Sequence, residues 1–130
     1  MNATRRWLTH LSAFFFVLFM AFGLTSYADD GMKVHFLNVG QADSTLITCG
    51  DHAMLIDAGN NDDKEPILNY IQNKSGLTHL DYVIGTHPHE DHIGSMDSVI
   101  EALSVDTVML PNVTANTRTF QDMLTAIDEK

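Results

Sequence analysis

One stretch constrains this 130-residue chain more than any other. The run Leu80-Asp-Tyr-Val-Ile-Gly85 leads without a break into Thr86-His87-Pro88-His89-Glu90-Asp91-His92. The run is short, apolar and closed by glycine, which predicts a strand buried on both faces. Pro88 disfavours helical dihedrals at His87, so the chain should leave that strand extended. In an extended chain, residues i and i+2 point the same way, and His87 and His89 can approach one cation together. The chain then bends toward a helix predicted from near Gly94. That bend presents Asp91 and His92 from a different direction. Two imidazoles, then a carboxylate and a third imidazole, can serve two adjacent ions. Nitrogen and oxygen ligands without sulfur suit Zn, Mn or Fe, and geometry decides among them. The bland alternative is a solvated polar loop in which histidines gather by chance. Four ligand-type residues in six positions at the end of a buried strand outweigh it.

The rest of the chain supplies a scaffold for such a loop. Met32–Val39, Ser44–Cys49 and His52–Asp57 read as strands, and Gly50-Asp51 supplies hairpin chemistry between the last two. The period then changes. Ile67, Leu68, Tyr70 and Ile71 fall at helical spacing behind Pro66, and Ser75-Gly76 ends that helix. After the His-rich stretch, Met96, Val99, Ile100 and Leu103 mark a second helix. Val105–Leu110 reads as a fifth strand, and Phe120, Met123, Leu124 and Ile127 mark a last helix. Strands lead and βα alternation follows, which predicts an α/β fold with a mixed sheet covered by helices. The helical pattern runs to Lys130 with no capping glycine or closing strand, so apolar sheet residues such as Val83, Ile84, Val108 and Leu110 are expected to lack a covering layer. Met96, Met109 and Met123 read as core, His35 as a satisfied sheet residue, and His52 and His79 as solvated. Cys49 lies in an alternating apolar run and reads as small hydrophobic filler. As the only cysteine, it excludes an intrachain disulfide and a cysteine-rich zinc knuckle.

Residues 1–28 have a different character. Arg5 and Arg6 precede a charge-free apolar run from Leu11 to Leu24, and Ser26-Tyr27-Ala28 places small residues at the −3 and −1 positions of a cut after Ala28. This is the order of a secretory signal peptide, and the run is short for a bilayer span, which needs about 20 residues. An uncleaved anchor is the alternative. A secreted, periplasmic or cell-envelope bacterial location follows for residues 29–130. The whole chain carries a net charge of −10; residues 1–28 hold two of its seven Lys and Arg and none of its seventeen acids, so the remainder carries −12. With no basic block, a nucleic-acid clamp working through Lys and Arg is unexpected.

With these residues in place, a resemblance emerges. His87-x-His89-x-Asp91-His92 is similar to the defining motif of the metallo-β-lactamase fold superfamily. Val34-His-Phe-Leu-Asn-Val-Gly40-Gln-Ala-Asp43-Ser-Thr-Leu-Ile47 resembles the first hairpin of the branch found in the hydrolase domain of ComEC-type DNA-uptake proteins. Leu55-Ile56-Asp57-Ala58-Gly59 resembles that branch's next landmark. The likeness spans about Met32 to Leu110.

The resemblance implies an αββα sandwich with two divalent metal ions, zinc above all and Mn or Fe as alternatives, on one edge. It assigns His87 and His89 to the first ion and Asp91 and His92 to the second. Asp57 either orients a ligand or the site loop from behind or is a turn carboxylate before Gly59. Asp43 either caps its loop or supports the site from a distance, and capping is the expected role. Relatives commonly have Gly-Gly where this chain has Gly94-Ser95, a change that should be tolerated. Family members also use a later histidine, an acidic bridge and a further histidine, and no histidine follows His92 here. Residues 29–130 are therefore expected to be the N-terminal part of such a domain. The implied activity is metal-dependent hydrolysis of a phosphodiester or similar ester by water activated on the ions, with Asp91 orienting that water or carrying its proton. The partner is then a small or polymeric phosphodiester, with nucleic acid suggested by the DNA-uptake branch. A catalytically inactive metallo-β-lactamase-like fragment, or a module without turnover that binds metal or a partner only, is the alternative.

Overall fold

The computed structural model describes residues 31–130. The signal-peptide reading of residues 1–28 lies outside them. Five strands form one sheet in chain order: β1 (Lys33–Phe36), β2 (Thr45–Cys49), β3 (His52–Ile56), β4 (His79–Ile84) and β5 (Ser104–Met109). β1, β2 and β3 are antiparallel neighbours, whereas β3, β4 and β5 run parallel. The tight hairpin at Gly50-Asp51 lets β2 return directly as β3, with Gly50 at φ +57. The parallel pairs need crossovers, and helices supply them. The first crossover is α1 (Lys64–Leu68), which continues as a π-helical segment from Asn69 to Lys74. The second holds the short α2 (Glu90–Ile93) and α3 (Met96–Ala102). The last helix, α4 (Arg118–Asp128), is capped by the Thr117 hydroxyl, which accepts from Phe120 N–H. The α/β class and the mixed sheet covered by helices expected from the sequence are what the molecule has.

The strand register decides which side chains are buried. His35, Leu46, Leu55, Val83 and Val108 are cross-strand neighbours in one row. Strand side chains alternate between faces, so this row defines one face of the sheet. The helices lie on that face: His35 Nδ1 is 3.0 Å from the Tyr70 hydroxyl. Leu46, Leu55, Val83, Ile67, Ile71, Met96, Val99, Ile100 and Met123 are fully buried there. Burying one such side chain contributes about 1.5–3 kcal/mol.

The opposite face carries Val34, Ile47, Met54 and Tyr82 in one row and Phe36, Ile56, Ile84 and Met109 in the next. Tyr82 is 42% exposed and Met109 45%. Among the described residues the uncovered side of the sheet is therefore this one, and three expectations change. Val83 is buried rather than uncovered, because it points at the helices. Met109 is not core, because its parity puts it on the open face. β4 is exposed at Tyr82 and so is not buried along the whole of both faces, although Leu80 and Val83 are both fully buried. Cys49 is exposed at the end of β2 and is no core filler. No helix among the described residues is long and apolar enough to cross a membrane.

His52 and Asp81 form a local clamp where β3 meets β4. Asp81 accepts from Ala53 N–H at 2.7 Å and lies 2.7 Å from His52 Nδ1. The His52 bond and charge pairing with Asp81 raise the imidazole above its ordinary range. The Ala53 N–H, then His52, hold the Asp81 carboxyl below its ordinary range. A raised histidine stabilises below its unfolded pKa and loses that contribution as pH rises through the folded value. A lowered aspartate stabilises above its unfolded pKa and loses that contribution as pH falls. The clamp is therefore strongest between about pH 4 and pH 6.5. Thermal melts of wild type and His52→Ala should differ most near pH 5 and less at pH 8, as the pH rises toward the raised value. An equal difference at both values would remove the ion pair as its source.

Candidate metal centre

The site forms where the carboxyl ends of β3 and β4 meet the start of α2. Parallel pairing aligns Ile56 with Ile84, and the ladder extends one step further through Asp57 N–H donating to Ile84 C=O at 2.8 Å. This step brings Asp57 beside Thr86. The residues after Thr86 bend away from the sheet, and His89 is extended at φ −86, ψ 153. Its carbonyl accepts from His92 and Ile93 N–H, which opens α2. Helical dihedrals thus begin at Glu90, inside the motif, earlier than the expected start near Gly94. The one turn of α2 delivers Asp91 and His92 back over the end of the sheet.

Asp57 is buried, and its backbone is left-handed at φ +58, unusual for a residue with a side chain. Its carboxylate accepts three hydrogen bonds. Oδ1 takes Thr86 N–H at 2.8 Å, and Oδ2 takes the Thr86 hydroxyl at 2.7 Å and His92 Nδ1–H at 2.8 Å. The polarity of this network follows from its acceptor. An ionised carboxylate has no proton to give, so both Thr86 O–H and His92 Nδ1–H must donate. The Thr86 oxygen then has only lone pairs for His87 Nδ1, 3.2 Å away, and His87 Nδ1–H donates to it. Both imidazoles thereby carry a proton on Nδ1, and in their neutral form Nε2 has the available lone pair. This is the arrangement by which carboxylates orient metal-ligating histidines. Asp57 thus bonds both Thr86 of the site loop and His92, and does more than close the turn before Gly59. Thr86 was not singled out in the sequence; its part depends on β3–β4 register, which no local pattern carries.

His87, Asp91 and His92 each offer a ligand atom within 4.8 Å of the others. The His87 and His92 ring centroids are 3.7 Å apart. His89 is exposed and stands beside His87, edge to face at 4.8 Å between centroids, outside that cluster. The chain thus brings His87 closer to His92 than to His89, across the expected division between two ions. Asp43 is not a turn cap. Its backbone N–H donates to Asp91 C=O at 3.0 Å and its C=O accepts from Gly59 N–H at 2.9 Å, while its carboxylate stands 3.6 Å from His92 Nε2. Glu90 is exposed, as its sequence position between the ligands suggested.

A second layer of backbone bonds fixes the loop. Ala58 N–H donates to His92 C=O, Gly94 N–H to Gly59 C=O and Ser95 N–H to Ala58 C=O, and the buried Ser95 hydroxyl donates to Asn60 C=O. Ser95 therefore fits where relatives commonly carry glycine. His79, expected to be solvated, lies 3.0 Å from Asp106 and far along β4 from this site, and His35 is satisfied by Tyr70 as expected.

A mixed sheet with its helices on one face, and a His/Asp cluster at the carboxyl ends of adjacent parallel strands, make an α/β protein with a candidate metal site at one end of its sheet. The chain belongs to the metallo-beta-lactamase superfamily, whose family model matches residues 37–129. A search of curated proteins finds no match. Superfamily membership makes a metal-dependent hydrolase the coarse reading of this chain, and the donor set fits divalent cations: two Nε2 lone pairs and a carboxylate, with no thiolate among them.

Proposed function

We propose that the chain is a metal-dependent hydrolase of phosphodiester or similar ester bonds. The observation that carries this reading is the Asp57–Thr86 network, which holds His87 and His92 beside Asp91 with one ligand atom of each of the three within 4.8 Å of the others. His87 with His89, and Asp91 with His92, would hold two divalent cations, zinc foremost and Mn or Fe as alternatives. Such cations supply Lewis acidity, acidifying water and offsetting negative charge on an ester's oxygens. Asp91 is half-exposed, and its carboxylate can orient the attacking water or accept its proton. Asp57 and Thr86 keep the imidazoles in the ligating tautomer throughout.

The likeness of the Val34–Ile47 hairpin to the DNA-uptake branch favours a nucleic-acid phosphodiester. The charge of −12 on residues 29–130 opposes broad backbone binding and favours recognition confined to the scissile group. Residues 1–28 support export to a bacterial envelope or beyond. The full chain, loaded with Zn²⁺ or Mn²⁺, should hydrolyse bis(p-nitrophenyl) phosphate. His87→Ala should lose more than the roughly 10–100-fold that follows removal of an outer partner of a metal site. A second reading, a metal-binding module without turnover, is favoured by one observation: His89 stands outside the three-residue cluster. Bound metal with no hydrolysis would select it. Absence of metal binding would refute both.

A further inference from the structure

We propose that Asp43 supplies a further carboxylate ligand to the cation held at His92 Nε2; the inference rests on the metal-site reading above. Asp43 and Asp91 reach His92 from two different parts of the chain. Asp43 Oδ2 lies 3.6 Å and Asp91 Oδ2 3.7 Å from the same Nε2 atom. Those separations are too long for hydrogen bonds. They match another kind of contact. Ligand atoms bonded at about 2.0–2.2 Å around a tetrahedral cation stand about 3.3–3.6 Å apart. The Asp43 pair, at 3.6 Å, has the length of one edge of a coordination polyhedron, and the Asp91 pair, at 3.7 Å, stands just beyond it.

The polarity of the site points the same way. His92 Nδ1–H is committed to Asp57 at 2.8 Å, and in the neutral imidazole Nε2 presents a lone pair to both carboxylates. An acceptor facing acceptors is unfavourable until a positive centre sits between them, and a divalent cation fills that role. The backbone holds Asp43 in place for it. Asp43 N–H donates to the Asp91 carbonyl at 3.0 Å, and the Asp43 carbonyl accepts from Gly59 N–H at 2.9 Å. The turn at residues 40–43 is thus fastened both to the ligand turn and to the loop after Asp57. Most of the Asp43 side chain is in solvent, which leaves its carboxylate free to swing the few tenths of an ångström that binding requires. The assignment gives this region a fifth donor and explains why the Gly40–Asp43 turn is tied to α2 rather than only to its own hairpin.

The test measures cation binding rather than turnover. Full-length wild type, Asp43→Asn, Asp43→Glu and His92→Ala are titrated with Zn²⁺ by equilibrium dialysis and with Co²⁺ by visible absorption. Asn keeps the volume of Asp43 and its backbone bonds while removing the charge. Wild type should bind, and Asp43→Asn should bind at least one ion about tenfold more weakly, with a changed Co²⁺ spectrum and an unchanged metal-free melting temperature. Asp43→Glu should restore part of the affinity. Wild-type binding with Asp43→Asn indistinguishable in affinity and spectrum overturns the assignment of Asp43 alone. No binding by wild type overturns the metal-site reading and this inference together.

Discussion

Asp57→Asn should leave the fold standing and weaken divalent-cation binding by roughly 10–100-fold, the range for outer partners of metal-ligating histidines. Asparagine tolerates the left-handed backbone that residue 57 adopts at φ +58, so the substitution adds little strain. Its side chain cannot reproduce three accepted bonds. Thr86 N–H is a fixed donor, so the amide oxygen takes the place of Oδ1. The amide NH₂ then faces Thr86 Oγ1 and His92 Nδ1, where Oδ2 accepted both. His92 must respond by moving its proton from Nδ1 to Nε2, which removes the lone pair proposed to bind metal. Turning the amide round instead places NH₂ against Thr86 N–H, a donor–donor conflict. Nitrogen chemical shifts of His92 in metal-free protein would report the tautomer directly, and dialysis against Zn²⁺ would report affinity. Unchanged shifts and unchanged affinity would show that Asp57 holds the loop but not the ligand. Asp57→Ala is the harsher variant. It leaves buried donors without partners at about 1–3 kcal/mol each and places a side chain that disfavours φ > 0 at a left-handed position.

The sequence was most readable where physics is local. Alternation in Thr45–Cys49 and His52–Ile56, with Gly50-Asp51 between them, is enough to write the hairpin, and the change to helical period after Pro66 is enough to write the first crossover. The π-helical segment at Asn69–Lys74 was not readable, because Tyr70 and Ile71 satisfy a helical apolar stripe whatever the winding. An apolar run does not reveal which of its residues meet a second layer. Tyr82 and Val83 sit side by side in the same run, and only the helices on one side of the sheet separate an exposed ring from a fully buried valine.

The candidate site divides in the same way. His87, His89, Asp91 and His92 were visible as a motif, since ligand-type residues at such density are their own signal. Their grouping was not visible. Extended geometry pairs His87 with His89, but the chain turns helical at Glu90, and one turn swings His92 under the His87 ring. The contacts that orient the imidazoles are longer in range still. Asp57 meets Thr86 across 29 residues and His92 across 35, through a parallel register that spacing along the chain does not encode. A short acidic residue after Gly40-Gln-Ala commonly caps its own turn, which is all that local pattern says of Asp43. Tertiary hydrogen bonds to Asp91 and Gly59 took over that turn and left its carboxylate facing the site.

Gly94→Ala should be the most damaging single-methyl change in the chain. The backbone of Gly94 is ordinary helical at φ −53, so the demand for glycine is one of space. A Cβ there would stand 2.2 Å from Asn60 C, 2.4 Å from Asn61 N and 2.5 Å from Asn60 Cα. All three are backbone atoms, so no rotamer change relieves the overlap, and one chain segment has to move. The segments that would part are the two that build the site. Gly94 N–H to Gly59 C=O, Ser95 N–H to Ala58 C=O and Ala58 N–H to His92 C=O all cross the gap that the methyl would widen. Overpacking of a filled interior costs about 1–3 kcal/mol where side chains can adjust, and here the expected loss is at or above the top of that range. Gly76→Ala is the matched control. Its Cβ meets nothing within 4 Å, and only its φ of +69 is strained, at a cost of about 1 kcal/mol. Urea unfolding of the two variants should separate them by stability. Zn²⁺ affinity should separate them further, because moving Ala58 away from His92 displaces Asp57 from the imidazole it orients, whereas the turn at Gly76 touches no part of that network. Equal stability and equal affinity in the two variants would mean that the Asn60 loop yields freely and that the close approach at Gly94 does not hold the metal centre together.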